Sequence, residues 1–136
     1  MTSPRQPHED ISRNAQVIEQ FRTQGNDRLL LLTTTGRKSG RSLTTPLQFM
    51  GDGDRVVVAA SNHGYDQHPG WYYNLVAEPN VTVEIGSERY EATAAVVQGA
   101  ERERLLEMAK TGLPFVAEYQ AKTSRRIELV ALERDG

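Results

Sequence analysis

Six consecutive residues, Gly36-Arg37-Lys38-Ser39-Gly40-Arg41, concentrate the chemistry this chain can offer. Two glycines bracket Arg37, Lys38 and Ser39, and Arg41 follows at once. Glycine lets a backbone turn sharply and aim several N–H groups at one point. Three cations around that point suit a phosphate or a carboxylate, Arg gripping through two parallel N–H bonds and Lys acting as a mobile point charge. The same residues also suit a plain soluble hairpin loop. They do not make a Walker A loop, which needs a wider glycine spacing and a Gly-Lys-Ser/Thr ending. No glycine triplet opens a helix afterwards, so the dinucleotide fingerprint is absent too.

The second chemically suggestive stretch runs over residues 59–75. Ala59-Ala60-Ser61 would end a strand in small side chains, which lets a flat group approach the backbone. Asn62-His63-Gly64 would turn the chain, and a short helix from about Pro69 would carry Trp71, Tyr72, Tyr73 and Asn74. Trp71 and Leu75, four apart, read as anchors on one helix face, and Asn74 as a tie to a neighbouring backbone. His63 and His68, with Asp66 between them, raise the question of a metal. Their spacing does not put them on one helical face and no third ligand of the right type lies close by, so no metal is expected. Ser61 lacks the Gly-x-Ser-x-Gly context of a nucleophile elbow.

These loops need a frame. Ile11–Gln24 reads as an amphipathic helix, with Ile11, Ala15, Ile18 and Phe21 or Arg22 at three- and four-residue spacing and Gly25-Asn26 as its stop. Strands are expected over Leu29–Thr35, apolar on both faces at its start, then over 42–50 and 55–60, with Val56, Val57 and Val58 buried. Gly51-Asp52-Gly53-Asp54 reads as a turn. Asn80–Ile85 and 90–97 form a hairpin across Gly86-Ser87, whose alternation (Val81, Val83, Ile85; Tyr90, Ala92, Ala94, Val96) buries one face. Helices follow over 100–110 and 115–121, and a last strand over 127–132. Six strands without strand–helix alternation argue against a doubly wound sheet and for an α+β protein built on an antiparallel sheet curled into a small barrel. Residues 1–10, with Pro4 and Pro7, read as a flexible tail before a single domain over 11–136.

The 136 residues carry a net charge of −2, which argues against general nucleic-acid binding. With 38% hydrophobic and 25% charged residues the composition is globular. There is no cysteine, hence no disulfide and no thiolate chemistry. No apolar run approaches the roughly 20 residues of a membrane span. Peripheral membrane contact through the first helix stays open as the weaker reading, since Arg13 and Arg22 are its only cations. The polar N-terminus has no signal-peptide core, so a cytoplasmic location is the default.

An ordered set of motifs then carries a resemblance. Leu31-Leu32-Thr33-Thr34-Thr35-Gly36-Arg37-Lys38-Ser39-Gly40, Thr45-Pro46-Leu47, Val58-Ala59-Ala60-Ser61, His68-Pro69-Gly70-Trp71-Tyr72-Tyr73-Asn74-Leu75 and Glu118-Tyr119-Gln120-Ala121-Lys122-Thr123-Ser124-Arg125 occur in the same order as in the deazaflavin-dependent nitroreductase family. The chain resembles that family over about residues 29–132. The resemblance implies a split β-barrel that binds reduced coenzyme F420, an 8-hydroxy-5-deazaflavin. It also implies hydride transfer to a small conjugated acceptor such as a quinone, nitroaromatic or enone.

By that similarity Arg37, Lys38 and Arg41 would take the coenzyme's phosphodiester and glutamate tail, with Ser39 and Gly40 adding hydroxyl and backbone donors. Pro46, Ala59, Ala60 and Ser61 would line the flat ring, and Asn62, His63 and Gly64 would border it, with Trp71 counted beside them. Tyr119 would donate or position a proton, or simply pack, and Ser61 would hydrogen-bond near the ring. The family's usual Tyr after Pro-Leu is Gln48 here, its usual Lys after Ala-Ser is Asn62, and an aromatic expected three residues before Tyr119 is Val116. Cofactor binding is therefore the firmer expectation, and nitroimidazole reduction the weaker. An FMN-binding split barrel and a non-catalytic deazaflavin-binding protein stand as alternatives. Barrels of this type commonly pair, so a homodimer is an open expectation.

Overall fold

The computed structural model describes residues 11–136. Its centre is one antiparallel sheet of seven strands: β1 (Leu29–Thr35), β2 (Ser42–Gln48), β3 (Met50–Asp52), β4 (Arg55–Ala59), β5 (Asn80–Ile85), β6 (Glu88–Val96) and β7 (Leu129–Arg134). Four α-helices flank it: α1 (Ile11–Gln24), α2 (Gly70–Ala77), α3 (Gly99–Gly112) and α4 (Phe115–Gln120). The strand order is β2-β1-β5-β6-β7-β4-β3. Its two edge strands, β2 and β3, are consecutive in the chain and joined only through Phe49. The sheet must therefore curl until its edges approach, which makes it the half-closed barrel the sequence implied.

That closure explains a difference from the sequence reading. The expected single strand 42–50 is two strands with a break at Phe49, because the chain there leaves one edge of the sheet for the other. Seven strands replace the expected six, and only Gly53-Asp54 remain as the turn. Pro46 is accommodated because β2 is an edge, where a missing N–H costs no ladder bond. The last strand begins at Leu129 rather than at 127, and Ile127 is instead held by its N–H, which donates to Gln120 Oε1 at 2.9 Å. The other bounds move by one or two residues: β4 stops at Ala59, β6 is Glu88–Val96, and α3 starts at Gly99.

Strand periodicity sorts the apolar residues into two cores. Inside the barrel lie Leu30, Leu32, Val58, Val83, Val130 and Leu132, plugged by Trp71 and Leu75 from α2. On the other face of β4 and β7, Val57, Leu129 and Ala131 pack against Leu105 of α3, Leu113 just beyond it and Val116 of α4. Each fully buried Leu or Val in these layers contributes about 1.5–3 kcal/mol through lost water contact. Leu30, Leu31 and Leu32 are all fully buried, which is why β1 starts apolar on both faces. Val56 is half-buried rather than buried.

α1 is pinned by buried Phe21 and by Arg22, whose Nε and Nη2 donate to Glu84 at 3.2 and 2.9 Å. Val17 and Ile18 are half-buried, whereas Ala15, expected on the inner stripe, is exposed. Arg22 is thus committed to a β5 carboxylate, which further weakens the idea of a lipid-facing helix. The expected tail over residues 1–10 lies outside the described residues.

Candidate active site

The β1–β2 loop is built around its glycines. Gly36 N–H donates to Arg41 O and Gly40 N–H to Gly36 O, both at 2.8 Å. Gly40 takes φ +71°, the left-handed region that favours glycine. A Cβ on Gly36 would lie 2.5 Å from Ser39 Oγ and 3.3 Å from Arg41 O, so a side chain there would displace the Ser39 hydroxyl from the loop. Ser39 Oγ itself accepts from Arg41 N–H at 3.2 Å. Its hydroxyl holds the loop as well as being open to solvent. Arg37, Lys38 and Arg41 are exposed, and among the described residues none of them has a carboxylate partner. Most other arginines among the described residues are paired with carboxylates, so the loop presents uncompensated positive charge.

The loop is tied to α2. Arg37 N–H donates to Asn74 Oδ1 at 3.1 Å, and Asn74 Nδ2 donates to Thr34 Oγ1 at 3.3 Å, which is the backbone tie expected of Asn74. The Arg37 guanidinium lies 5.0 Å from the centre of the Tyr73 ring, a cation–π contact. Tyr73 in turn meets His68 edge-on at 5.6 Å. His68 Nδ1 lies 3.1 Å from Arg125 Nη1. A continuous row of contacts thus joins the cationic loop to the chain leaving β4.

That exit is the second part of the site. Ala59 and Ala60 are both buried, one in each core, and the Ala60 backbone is engaged within the protein, its N–H donating to Glu128 O at 2.8 Å and its carbonyl accepting from Arg125 Nη1 at 3.1 Å. Ser61 is 9% exposed and its hydroxyl has no partner among the described residues. Asn62 and His63 then adopt φ +45° and +54°, followed by Gly64 at +78°. Two consecutive non-glycine residues in the left-handed region cost on the order of 1–3 kcal/mol each, and such strain clusters at functional sites. Asn62 Nδ2 offsets part of it by donating to Gln67 O at 2.8 Å. A Cβ on Gly64 would sit 3.0 Å from Tyr119 O and 3.1 Å from Lys122 Cβ, so α4 can approach only because residue 64 is glycine.

His63, Gly64, Tyr65, Tyr119 and Lys122 line an open recess of about 490 Å³. Tyr119 Oη stands 3.5 Å from His63 Nδ1, and Lys122 Nζ lies 5.5 Å from the centre of the Tyr119 ring. Tyr119 therefore faces the same recess as His63 and Gly64, which follow the β4 exit. Trp71, in contrast, is 8% exposed inside the barrel and serves there as an anchor. Pro46 is half-buried on the β2 edge, opposite Leu31. Val116, where an aromatic was expected, faces the α3 core and not the recess.

Gln120, Thr123 and Arg125 had motif status in the sequence but no assigned task. The structure supplies one. Gln120 Nε2 donates to Arg125 O at 2.6 Å, and Thr123 Oγ1 donates to Asp66 Oδ1 at 3.1 Å. The Arg125 guanidinium donates to Tyr65 O at 2.7 Å, Ala60 O at 3.1 Å and Ser61 O at 2.6 Å. A lone arginine beyond a helix carries no periodic signal, so only its place in the motif marked it.

A coenzyme of the kind the resemblance implies would need an anion cradle beside a surface that accepts a flat ring. The unpaired cations of the loop and the small-residue exit of β4 have that donor chemistry. Comparison with known proteins agrees. Residues 5–134 match the profile of the F420H(2)-dependent quinone reductase family. The chain is 36% identical over 130 residues to an F420H(2)-dependent quinone reductase of Mycobacterium tuberculosis strain H37Rv, covering 93% of this chain and 87% of that one. Among solved structures, an F420-H2 dependent reductase superposes with TM-score 0.72 at 37% identity, over 78% of this chain and 94% of the other. A domain-swapped dimer superposes with TM-score 0.75 at 34% identity, over 94% and 100%.

Proposed function

Since the chain belongs to the F420H(2)-dependent quinone reductase family, we propose that it binds reduced coenzyme F420 on the 36–41 loop and the β4 exit and reduces a small quinone in the adjoining recess. The observation that carries this reading is the row of contacts from the unpaired cations of the loop, through Tyr73 and His68, to the chain around Ser61. Arg37, Lys38 and Arg41 would hold the anionic phosphodiester and glutamates, with Ser39 and Gly40 framing them. Ala59, Ala60 and Pro46 would flank the ring, Asn62, His63 and Gly64 would border it, and Trp71 would support that wall from within the barrel.

When bound, the reduced coenzyme supplies the hydride, and the protein's part is position and electrostatics. A quinone that accepts a hydride also needs a proton to become a hydroquinone. The Tyr119 phenol faces the recess and hands that proton to the reduced oxygen, and Lys122 stabilises the oxygen's transient negative charge. Ser61 Oγ, free of other partners, orients the ring by a hydrogen bond. A homodimer belongs to the same reading, supported by the domain-swapped dimer that shares the fold, as does the cytoplasmic location expected from the sequence.

The test is a fluorescence titration with F420, with FMN as competitor and menadione as acceptor. Micromolar or tighter binding is expected, unaffected by FMN, weakened about three- to tenfold in Lys38→Ala, a range set by the exposure of that charge. Turnover of menadione is expected as well. Preference for FMN would replace the coenzyme assignment, and tight binding without turnover of any quinone would leave a carrier protein.

A further inference from the structure

We infer that Arg125 is a positioning residue for the coenzyme site: its guanidinium clamps the chain leaving β4 into the shape that presents Ser61 to Gly64, and the clamp closes only while His68 is unprotonated. The inference rests on the reading of residues 59–64 as the wall that meets the coenzyme ring.

One side chain does this from a distant part of the sequence. Arg125 Nε reaches Tyr65 O, Nη1 reaches Ala60 O and Nη2 reaches Ser61 O, so three carbonyls within six residues converge on one fork. Ser61 O also accepts from Gly64 N–H at 2.9 Å, the bond that closes the turn holding the left-handed pair Asn62 and His63. Because a peptide unit is planar, a Ser61 carbonyl turned toward Arg125 sends the Asn62 N–H the opposite way. A lysine could supply charge here but not three directed bonds.

The fork is itself held. Arg125 N–H donates to Thr123 Oγ1 at 3.2 Å, and Arg125 O accepts from Gln120. The same short segment follows Tyr119, so the clamp fixes the acceptor side of the recess to the coenzyme side.

The fourth contact adds a condition. A guanidinium has donors and no acceptor, so His68 Nδ1, 3.1 Å from Nη1, must offer a lone pair. The ring lies against Tyr72 at 4.4 Å, tilted by 32°, and meets Tyr73 of α2, with Arg125 on one side and the Glu128 carboxylate acting from the β7 approach. Asp66 acts on Arg125 in the attractive sense, and Arg126 acts on Tyr72. Burial first, and then Arg125, hold His68 below its ordinary 6.5, while Glu128 opposes them. A proton on Nδ1 would set two donors and two positive charges against each other, and the clamp would open.

The experiment uses the full chain. Amide hydrogen exchange without coenzyme reads the clamp directly: the protection factors of the Gly64 and Tyr65 N–H groups should fall about tenfold in Arg125→Lys, the scale of one lost charge-assisted hydrogen bond. F420 titrations of the same variant should show a loss of about tenfold or more. In the wild type, the Kd should rise, as the pH is lowered from 8 to the lowest value at which the protein stays folded, at least about threefold more than in His68→Gln, whose amide oxygen accepts at every pH. Taking the ratio to His68→Gln cancels the coenzyme's own ionisation. If Arg125→Lys does not fold, the His68→Gln comparison still decides. Unchanged protection, with the same pH dependence in wild type and His68→Gln, overturns the clamp. Lost protection in a protein that binds no F420 at either pH leaves the clamp and overturns the coenzyme reading.

Discussion

Tyr119 is the residue whose environment most directly suits the chemistry. It reaches the recess from α4, 3.5 Å from the exposed His63, and its ring lies beside Lys122. Hydrogen bonds that act in catalysis are often long before substrate arrives, so this distance suits a group that tightens onto a bound quinone. Tyr119→Phe is expected to lower kcat for menadione about 10²-fold, the usual worth of a positioned acid, with a much smaller change in F420 affinity measured by fluorescence. An equal loss in both quantities would make Tyr119 a packing residue of the coenzyme wall. His63, by its left-handed backbone, is held where the Tyr119 hydroxyl can meet it, a relation that neither residue reveals alone.

At the scale of elements, the β3–β4 hairpin is fastened to α3 by charge. Asp52 accepts from Arg55 and from both Nη atoms of Arg104, and Arg55 also pairs with Glu101. The Arg104 and then Arg55 hydrogen bonds draw the Asp52 carboxyl from 3.8 to about 2. A carboxyl with a lowered folded value contributes stability that is fully present above 3.8 and is lost as the pH falls through about 2. Asp52→Asn is therefore expected to lower Tm at pH 7 by about 3–5 °C and to flatten the dependence of Tm on pH between 4 and 2. A variant with the wild-type acid slope would show that other carboxylates carry it. On the opposite side of the sheet, Glu84 does the equivalent work for α1 through Arg22.

The whole molecule depends on a plug. The barrel's inner face is lined by Leu, Val and Ala from six strands, and Trp71 fills what they leave. Trp71→Ala should cost about 3–5 kcal/mol in urea unfolding followed by circular dichroism, the transfer term plus a cavity that a closed sheet cannot collapse. A loss below about 1 kcal/mol would mean that Trp71 serves a ligand more than the core. Because α2 carries Trp71 inward, Asn74 to the cationic loop and Tyr73 toward Arg37, loosening the plug should also loosen the cationic loop.

Much was determined by the sequence alone, because local chemistry is written locally. The Gly36 to Arg41 loop declared itself by glycine and charge, β1 by its leucines, the 80–97 hairpin by alternation, and Asn74 by its place one turn beyond Trp71. The ordered motifs were enough to indicate the family. What only the tertiary structure decided involves partners far apart in the chain. The break at Phe49 exists because the sheet closes. Val116 became a core residue because of the face it presents, and Trp71, an anchor by its spacing, found in the barrel interior the space it fills. Arg125 gained its task from carbonyls some sixty residues earlier. No spacing rule reaches across such a distance: a backbone carbonyl is identical in every residue, and only folding decides which of them a side chain will meet.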